Sequence, residues 1–488
     1  MLTMTNGVPA AVRARCHADP AASAIVTDTG ATSYGTLLGL LDSALVTLRT
    51  AGVSPGDTVV VRARRVAQLP VAVLAVWEAG ATVALVDATL PPARLDVCDE
   101  VVRPAWRLTF DSDGAWSVAP TGLAQDARRV SHILFTSGTT GSPAAVEVTG
   151  DAFDRAFDGY LRLVDPRPTD RVALLAGTGH DPVLRDMFVP LVRGGTLVVP
   201  SADVVADPDR LAAFLGTAGV TILHCSPALL ELLLAGARDD RPRHLAGIRL
   251  VVSGGAPLSW GTVRRLRAST DAVIVNAYGT TETPQVASCW AVPDQPQGYP
   301  GDDVGVGIGS GLGDTELLLV DPQGQPAAAR GEVLVRSRNL ARGYLPGAGR
   351  DRRFVPDPHG IPGYAAYRTG DLGERDETGS IRIVGRLDRQ LSVNGFRVEP
   401  AEIERAALRH SGVVQAVAGL LCAPTGDVIE LSVVPSAPDA LAVRDLRAFL
   451  RASLPRHAIP TSIRVVPRLT LDANHKAKPY VAVEGSPS

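Results

Sequence analysis

The feature that most constrains the fold is a repeated alternation of β-rich runs and helical segments. DTVVVRA (57–63) and ATVALVD (81–87) flank an apolar helical stretch at 66–79. The alternation returns between residues 172 and 279. There the β-rich runs are VALLAG, TLVVP, VTILH, IRLVVSGG and AVIVNAYG, and the helical patterns lie at 182–193, 208–218, 227–237 and 259–269. Strands that alternate with helices form parallel sheets covered on both faces, so we predict an α/β fold.

Chain length and a change in the sequence pattern indicate that this fold is divided further. At 488 residues the chain is too long for one ordinary core. From about Asp303, short β-rich runs separated by turn residues predict a β-rich subdomain at 303–386. After Asp388 come two helical patterns, PAEIERAALRH and VRDLRAFLRASLP. We therefore predict a large N-terminal domain at 1–386 and a small α+β C-terminal domain at 387–488.

Composition excludes several classes of partner. Hydrophobic content of 45% with 20% charged residues is typical of a globular protein, and a net charge of −3 gives no sign of a nucleic-acid or membrane-surface partner. Five scattered cysteines show no metal-ligand spacing and match a reducing compartment. No signal peptide is evident, and the apolar stretch at 69–86 is interrupted by Glu78 and Gly80. We expect a cytoplasmic protein.

A loop rich in glycine and hydroxyl residues follows a β-like run in ILFTSGTTGSPAAV (133–146). Backbone N–H groups and hydroxyls in such a loop can turn toward phosphate oxygens. The Gly-Lys-Ser/Thr of a Walker loop is missing. A flexible linker has the same composition, so the loop alone does not decide the function.

Three later motifs supply groups that a nucleotide site needs. NAYGTTET (276–283) sets Tyr278, whose ring could cover a base, beside Glu282, whose carboxylate could bind Mg²⁺ near phosphates. YRTGDL (367–372) places Asp371 in a loop where it could accept ribose hydroxyls, and GRLDRQLSVNGFRVEPAEIE follows at 385–404. Taken singly, Tyr278 is more often a packing residue and Glu282 more often a surface charge, and an Asx turn is the alternative for Asp371.

In this order and at these spacings, the motifs resemble the adenylate-forming superfamily of acyl-CoA synthetases, luciferases and nonribosomal peptide adenylation domains. The resemblance runs from TSYGTL near residue 32 to NHK at 474–476. NAYGTTE, ARGYL (341–345), YRTGDL and GFRVEPAEIE are most similar to the amino-acid adenylation branch. The resemblance implies an ATP-dependent ligase in which a carboxylate attacks the α-phosphate of ATP, giving an acyl-AMP and pyrophosphate. A thiol then takes the acyl group, after the small, mobile C-terminal domain has turned about a hinge.

The resemblance also assigns roles to individual residues. Glu282 would bind Mg²⁺, Asp388 would lie at the hinge, and Lys476 would bridge the substrate carboxylate and the reacting phosphate. Lys476 and Lys478 are the only lysines, since the other 46 of the 48 basic residues are arginine. A mobile ammonium can follow moving charge better than a rigid guanidinium. The implied phosphate-binding residues are Thr136, Ser137, Gly138, Thr139 and Thr140. The implied adenine- and ribose-binding residues are Gly255, Ala256, Asn276, Tyr278, Gly279, Thr281, Asp371 and Arg386.

The same resemblance locates a substrate pocket. Asp181 falls where the amino-acid branch holds the substrate ammonium, although a helix N-cap before Pro182, or a pair with Arg185 on one helix, also explains it. Polar groups at Arg185, His224 and Gln285 would be left unpaired by a small apolar side chain, so we expect a polar or acidic amino acid. His224 alone is equally typical of a satisfied core histidine. The other matching pocket positions are Val252, Gly254, Ala277 and Val286.

Ala144 and Ser392 stand where the superfamily usually has lysines. The retained Glu282, Asp371 and Lys476 still favour an active enzyme. The favoured hypothesis is a stand-alone enzyme that loads an amino acid onto the phosphopantetheine thiol of a separate carrier protein, in trans, in a secondary-metabolite pathway. An acyl-CoA synthetase of the same fold and a non-catalytic pseudoenzyme are the alternatives.

Overall fold

The computed structural model describes residues 7–111, 114–123, 128–136, 143–235, 245–294, 301–345, 351–377, 379–393, 395–423, 426–437, 441–471 and 477–478. The α-helices in these ranges include every predicted helical pattern to within a few residues, together with helices that the sequence analysis did not predict. They are α1 (Gly7–Ala18), α2 (Tyr34–Ala51), α3 (Leu69–Glu78), α4 (Pro92–Val102), α5 (Gly150–Val164), α6 (Pro182–Leu191), α7 (Ala202–Val205), α8 (Pro208–Thr217), α9 (Pro227–Ala235), α10 (Trp260–Arg267), α11 (Pro400–Leu408) and α12 (Val443–Arg451).

The first large sheet has nine strands. They are β1 (Ser23–Thr27), β2 (Ala31–Ser33), β9 (Arg171–Ala173), β10 (Thr196–Val199), β11 (Ile222–Cys225), β12 (Leu250–Gly254), β13 (Val273–Tyr278), β14 (Ser288–Ala291) and β15 (Ser310–Gly311). Their order is β15-β14-β13-β12-β11-β9-β10-β1-β2, and the run from β13 to β1 is parallel. The carboxyl ends of β11, β12 and β13 therefore lie at one edge of this sheet.

The second large sheet has seven strands and is also mixed. They are β3 (Thr58–Ala63), β4 (Thr82–Asp87), β5 (Trp106–Phe110), β6 (Trp116–Pro120), β7 (His132–Thr136), β8 (Ala144–Val148) and β18 (Gly343–Tyr344). The order is β18-β8-β7-β4-β3-β5-β6, with parallel pairing from β7 to β5. All six residues of β3 are buried, as expected of a parallel strand covered on both faces.

Hydrophobic cores show how these two sheets are layered. One continuous core joins α1, α2, α3, α5 and α6 to residues of both sheets, so these helices lie between them. A second core packs α8, α9 and α10 on the outer face of the nine-stranded sheet, and a third packs α4 on the seven-stranded sheet. Burial of the apolar faces in these layers is the main stabilising term for the large domain.

A third, antiparallel sheet corresponds to the predicted β-rich subdomain. It contains β16 (Glu316–Val320), β17 (Arg330–Ser337), β19 (Phe354–Pro356), β20 (Ala365–Arg375) and β21 (Ile381–Arg386). The C-terminal part has its own core, which unites α11 and α12 with its sheets. Its strands are β22 (Leu391–Val393), β23 (Phe396–Val398), β24 (Val413–Ala423), β25 (Gly426–Pro435), β26 (Ser462–Val465), β27 (Thr470–Leu471) and β28 (Ala477–Lys478). The predicted α/β fold with a small α+β C-terminal part is confirmed.

One predicted strand is shorter than its sequence indicated. The run at 172–177 is a strand only as far as Ala173, because the backbone N–H groups of Leu175 and Ala176 donate to the Asp186 side chain. This diversion brings the chain toward α6, where the candidate pocket lies. None of the helices in the described ranges has the length and hydrophobicity of a membrane-spanning segment.

Candidate active site

The candidate site lies beyond the carboxyl ends of β12 and β13, the usual location of ligands in an open α/β sheet. Gly254 and Ala277 are register partners there, and a Cβ at Gly254 would stand 2.6 Å from the Ala277 carbonyl oxygen. Gly255 follows with a φ of +84°, which favours glycine. The backbone between the two strands can therefore approach a ligand closely. The predicted residues Ala256, Gly279 and Thr281 lie in the loops that follow these strands.

A buried carboxylate joins the predicted base-covering and ribose-binding residues. The Tyr278 hydroxyl donates to Asp371 Oδ2 at 2.5 Å, and Arg386 donates to the other oxygen of Asp371. Asp371 and Arg386 face each other in the register of β20 and β21. Burial raises the pKa of Asp371, and the Arg386 guanidinium opposes that rise. The structure thus brings these three sequence-predicted residues into one cluster.

The predicted hinge residue is held by two arginines. Asp388 accepts from Arg386 Nε at 2.7 Å and from Arg353 Nη2 at 2.7 Å. Burial alone would raise the pKa of Asp388, but these guanidinium groups outweigh it and lower the pKa to about 2. Arg386 therefore connects Asp371, the predicted ribose-binding carboxylate, to Asp388, the predicted hinge residue.

Asn276 supports the site indirectly. Its side-chain amide donates to the carbonyl oxygens of Val306 and Gly307, at 3.3 and 2.8 Å. These bonds fix the segment that follows residue 301 against the end of β13. They leave the Asn276 side-chain oxygen as the group that can face an adenine.

Glu282, the predicted metal ligand, is fully buried and already has partners. Arg397 Nη1 lies 3.1 and 3.0 Å from its two carboxylate oxygens, and the Tyr344 hydroxyl donates to one of them. Burial opposes ionisation, yet Arg397 and Tyr344 lower the pKa of Glu282 to about 2. Arg397 and Tyr344 lie in two of the motifs noted above, GFRVEP and ARGYL, but the sequence did not predict that they meet on this carboxylate.

A magnesium site at Glu282 depends on what Arg397 does. Among the described residues there is no group of three His, Cys, Asp or Glu side chains that could hold a metal ion. Mg²⁺ is usually bound by one or two carboxylates together with substrate phosphates and water. Glu282 fits that pattern as the single protein ligand, provided that the Arg397 guanidinium leaves the carboxylate.

The small C-terminal part presents its β22–β23 hairpin to the site. Ser392 Oγ donates to the Gly255 carbonyl at 3.3 Å, and the Phe396 ring stacks on His457 at 4.3 Å while meeting His180 edge-on. An ion pair of 2.5 Å between Arg94 and Glu402 holds α11 against α4. Ser392, where the superfamily usually has a lysine, thus contacts the loop that follows β12.

The predicted phosphate-binding loop and the segment with the two lysines lie partly outside the described residues. Thr136 ends β7, is buried, and pairs in register with Ala144. Ser137, Gly138, Thr139, Thr140 and Lys476 lie outside the described residues. Ala144, where a lysine is usual, is itself a buried strand residue.

Asp181 occupies the predicted N-cap position before Pro182, but its carboxylate does not cap α6. It has helical backbone angles (φ −46°, ψ −43°), and its side chain makes no capping hydrogen bond. Its carboxylate instead accepts from Gln285, at 2.8 Å from the backbone N–H and 3.0 Å from the side-chain amide. Burial is the main cause that raises the pKa of Asp181 to about 6. Gln285 has a φ of +66°, a strained value for a non-glycine residue and one often found at functional sites.

The alternative that Asp181 pairs with Arg185 is also wrong, because the ion pairs among the described residues do not include it. Arg185 Nη1 donates to the Gln285 carbonyl at 2.9 Å, and its guanidinium carbon lies 5.3 Å from the centre of the Tyr160 ring. Arg185 and Asp181 therefore hold opposite sides of the same Gln285 residue.

His224 is held by Asp186, which sequence reasoning missed. His224 Nδ1 lies 2.9 Å from Asp186 Oδ1, and Asp186 Oδ2 accepts from the Leu175 and Ala176 N–H groups at 3.0 and 2.9 Å. Asp186 is one residue beyond Arg185, so the sequence offered a neighbouring carboxylate but not its direction. The apolar pocket positions Val252 and Val286 are both buried nearby in the same core.

Comparisons with known proteins agree with this geometry. A family described as AMP-binding enzyme matches residues 12–121 and 102–345, and its C-terminal domain family matches residues 402–476. The chain is 33% identical over 482 residues to phenyloxazoline synthase MbtB of Mycolicibacterium paratuberculosis, covering 94% of this chain and 40% of that protein. It is 27% identical to the L-2-aminoadipate reductase large subunit of Eremothecium gossypii, covering 88% of this chain and 38% of that protein.

A solved structure is similar over nearly the whole chain. Holo-PA1221, an NRPS protein containing adenylation and PCP domains, superposes with a TM-score of 0.81 at 25% identity, covering 98% of this chain and 84% of that one. The chain thus spans about two fifths of the length of the two curated relatives. The family matches nonetheless cover most of its residues. The chain belongs to the family of AMP-binding enzymes, the adenylate-forming ligases that its motifs predicted.

Proposed function

We propose that this protein activates an amino acid with ATP as an aminoacyl-AMP and transfers it to the phosphopantetheine thiol of a separate carrier protein. The observation that carries the proposal is the buried Asp181 carboxylate. It neither caps α6 nor pairs with a cation, and it stands at the strand-end edge where a ligand would bind. A substrate ammonium supplies the charge partner that this carboxylate lacks.

The nucleotide half of the proposal rests on the cluster around Asp371. Tyr278 would cover the adenine, and Asp371 would accept ribose hydroxyls while Arg386 fixes its orientation. Glu282 would hold Mg²⁺, which neutralises charge on the phosphates when it is bound. The loop at 136–140 would bind those phosphates, and Lys476 would neutralise charge as the substrate carboxylate approaches.

The position of the C-terminal part fits the second step better than the first. Arg397 occupies Glu282 and the β22–β23 hairpin contacts Gly255, so the groups that serve ATP are engaged by the small domain. We propose a boundary at 386/387 and a turn about Asp388 between the two half-reactions. In the first orientation Arg397 would withdraw and Lys476 would enter.

Two findings support a polar or acidic amino acid as substrate, and a third supports a carrier protein as the acyl acceptor. Gln285 contacts both Asp181 and Arg185, and the Tyr160 ring lies next to both Arg185 and His224. One relative is named for 2-aminoadipate, an amino acid with a second carboxylate. Another structural relative contains both adenylation and PCP domains, which agrees with a carrier as the acyl acceptor.

Amino-acid-dependent exchange of labelled pyrophosphate into ATP tests the first half-reaction. We expect exchange with at least one amino acid and little with simple fatty or aryl acids. Incubation of the adenylate with CoA and with a phosphopantetheinylated carrier protein separates the two acceptors. Faster transfer to CoA would identify an acyl-CoA synthetase, and exchange with no acid would identify a non-catalytic protein.

A further inference from the structure

The side-chain end of the proposed pocket contains several buried polar atoms that find no hydrogen-bond partner among the described residues. They are Arg185 Nε, His224 Nε2, Tyr160 Oη and the Gln285 side-chain oxygen. A buried donor or acceptor without a hydrogen-bond partner destabilises the folded protein. A set of four in one place is therefore a strong sign of a missing polar ligand.

These atoms belong to one cluster rather than to separate defects. Tyr160 lies at its centre, with the Arg185 guanidinium 5.3 Å and the His224 ring 5.6 Å from its own ring centre. Arg185 is 8% exposed, His224 3% and Tyr160 0%. The three side chains come from α6, β11 and α5, so the packing of the large domain holds them together.

The free groups of this cluster are two donors, at Arg185 and Tyr160, and two acceptors, at Gln285 and on the neutral ring of His224. Arg185 Nε and the Tyr160 hydroxyl can each donate one hydrogen bond, and Arg185 carries a buried positive charge. The nearby carboxylates are already committed, since Asp181 binds Gln285 and Asp186 binds His224 and two backbone N–H groups. A ligand group that brings acceptors and a negative charge would satisfy both donors and meet the Arg185 guanidinium.

His224 fits the same ligand if it gains a proton. Asp186 accepts from Nδ1–H, which fixes the tautomer and leaves Nε2 of the neutral ring as an acceptor that would repel a carboxylate. Protonation of Nε2 turns it into a donor, and Asp186 stabilises the resulting imidazolium from behind. The other charged or titratable groups around this pair are Arg185, Tyr160, Cys225, which follows His224 in the chain, and Arg65, whose guanidinium donates to the Leu175 and Ala176 carbonyls.

We propose that this cluster binds the side-chain carboxylate of an amino acid with two carboxylates. Arg185 and Tyr160 donate to that carboxylate, and His224 takes one proton from solvent as the ligand binds. Asp186 is a positioning residue, because it acts through His224. The inference rests on the proposed function, since it concerns the side chain of the same amino acid whose ammonium meets Asp181.

Matched pairs of amino acids test the choice of ligand. Pyrophosphate exchange is measured with aspartate against asparagine, glutamate against glutamine, and 2-aminoadipate against its side-chain amide and norleucine. We expect one dicarboxylic acid to be preferred over its own amide by at least ~10-fold in kcat/KM, because the amide brings fewer acceptors and no charge. Preference for an amide or for norleucine would overturn the carboxylate subsite and leave amino-acid activation intact. Exchange with no amino acid would overturn the proposed function itself.

Isothermal titration calorimetry tests whether His224 takes up a proton when the ligand binds. Binding of the preferred acid is titrated near pH 7.5 in buffers of different ionisation enthalpy, where Asp181 is largely ionised and contributes little. Wild-type protein and His17→Gln, a control at an exposed histidine on α1, should take up about one proton per ligand. Asp186→Asn and His224→Gln should lose that uptake. Circular dichroism identifies any variant that fails to fold, and if one of the two does not fold, the other still tests the proposal. Binding without proton uptake in wild-type protein would overturn the role of His224.

Discussion

Replacing Asp181 by asparagine should make the protein more stable and less active at the same time. Folding raises the pKa of this buried carboxyl from 3.8 to about 6, so the folded state keeps a proton that the unfolded state releases between those values. Stability therefore falls as pH rises through this window. The pKa difference corresponds to about 3 kcal/mol against folding above pH 6.

The asparagine side chain removes this cost while retaining the shape. Its oxygen can accept one N–H of Gln285, and its amide can donate to the Gln285 side-chain oxygen, which has no partner now. After allowing about 1–2 kcal/mol for imperfect hydrogen bonds, Asp181→Asn should gain about 1–2 kcal/mol at pH 8. At pH 5 much of the wild-type carboxyl is protonated and its cost is only about half of that at pH 8, so the gain should fall to about zero there.

Thermal melting at the two pH values measures this effect, with an expected rise of roughly 1–2 °C at pH 8. Loss of the partner of the substrate ammonium should cost about 2–5 kcal/mol in binding, so KM for the amino acid should rise by at least ~30-fold, with KM for ATP little changed. Asp170→Asn is the matched control. Asp170 is ion-paired with Arg249, its pKa is lowered, and its replacement should reduce stability at pH 8. The reasoning is refuted if Asp181→Asn melts lower by the same amount at both pH values, or if KM for the amino acid is unchanged.

Three further substitutions test other parts of the site. Arg397→Met leaves the fully buried Glu282 without its cation and should lower the free energy of unfolding by about 3–5 kcal/mol. Because the pKa of Glu282 is lowered to about 2, the stabilisation by this pair should be present above pH 4.5 and fade as pH falls, which thermal melting at pH 7 and pH 3 detects. Tyr278→Phe removes one hydrogen bond to Asp371 and should reduce kcat/KM for ATP by ~3–10-fold with a smaller effect on the amino acid, which steady-state kinetics resolves. Arg185→Leu should lose the native amino acid and tolerate apolar ones better, and an unchanged profile across an amino-acid panel would show that Arg185 only supports Gln285.

Most elements of the fold follow from local patterns in the sequence. The helical pattern at 182–193 and the apolar run at 81–87 match α6 and β4 closely, because periodicity and burial are properties of neighbouring residues. The run at 172–177 failed as a full-length strand because Asp186, about ten residues further on, takes its backbone N–H groups. Such a bond depends on how α6 packs, which the local pattern does not contain.

The candidate site was predictable as a set of residues but not as a set of pairs. Motif resemblance pointed to Asp181 and Gln285 separately. Their contact, however, joins positions 104 residues apart and depends on the positive φ of Gln285. Likewise, Glu282 was expected to face a metal, while its partner here is Arg397 from the small domain, 115 residues away. Domain orientation decides that contact, and no sequence pattern encodes one orientation of a mobile domain.

The most direct test of the account compares the two lysines in both half-reactions. Lys476→Ala should abolish most amino-acid-dependent pyrophosphate exchange, a loss of at least ~2–4 kcal/mol in transition-state stabilisation. The same variant, given purified aminoacyl-AMP, should load the carrier thiol at a near-normal rate. Lys478→Ala should resemble wild type in both assays. Equal damage to both half-reactions by Lys476→Ala, or greater sensitivity at Lys478, would contradict the assignment of Lys476 and with it the proposed two-step cycle.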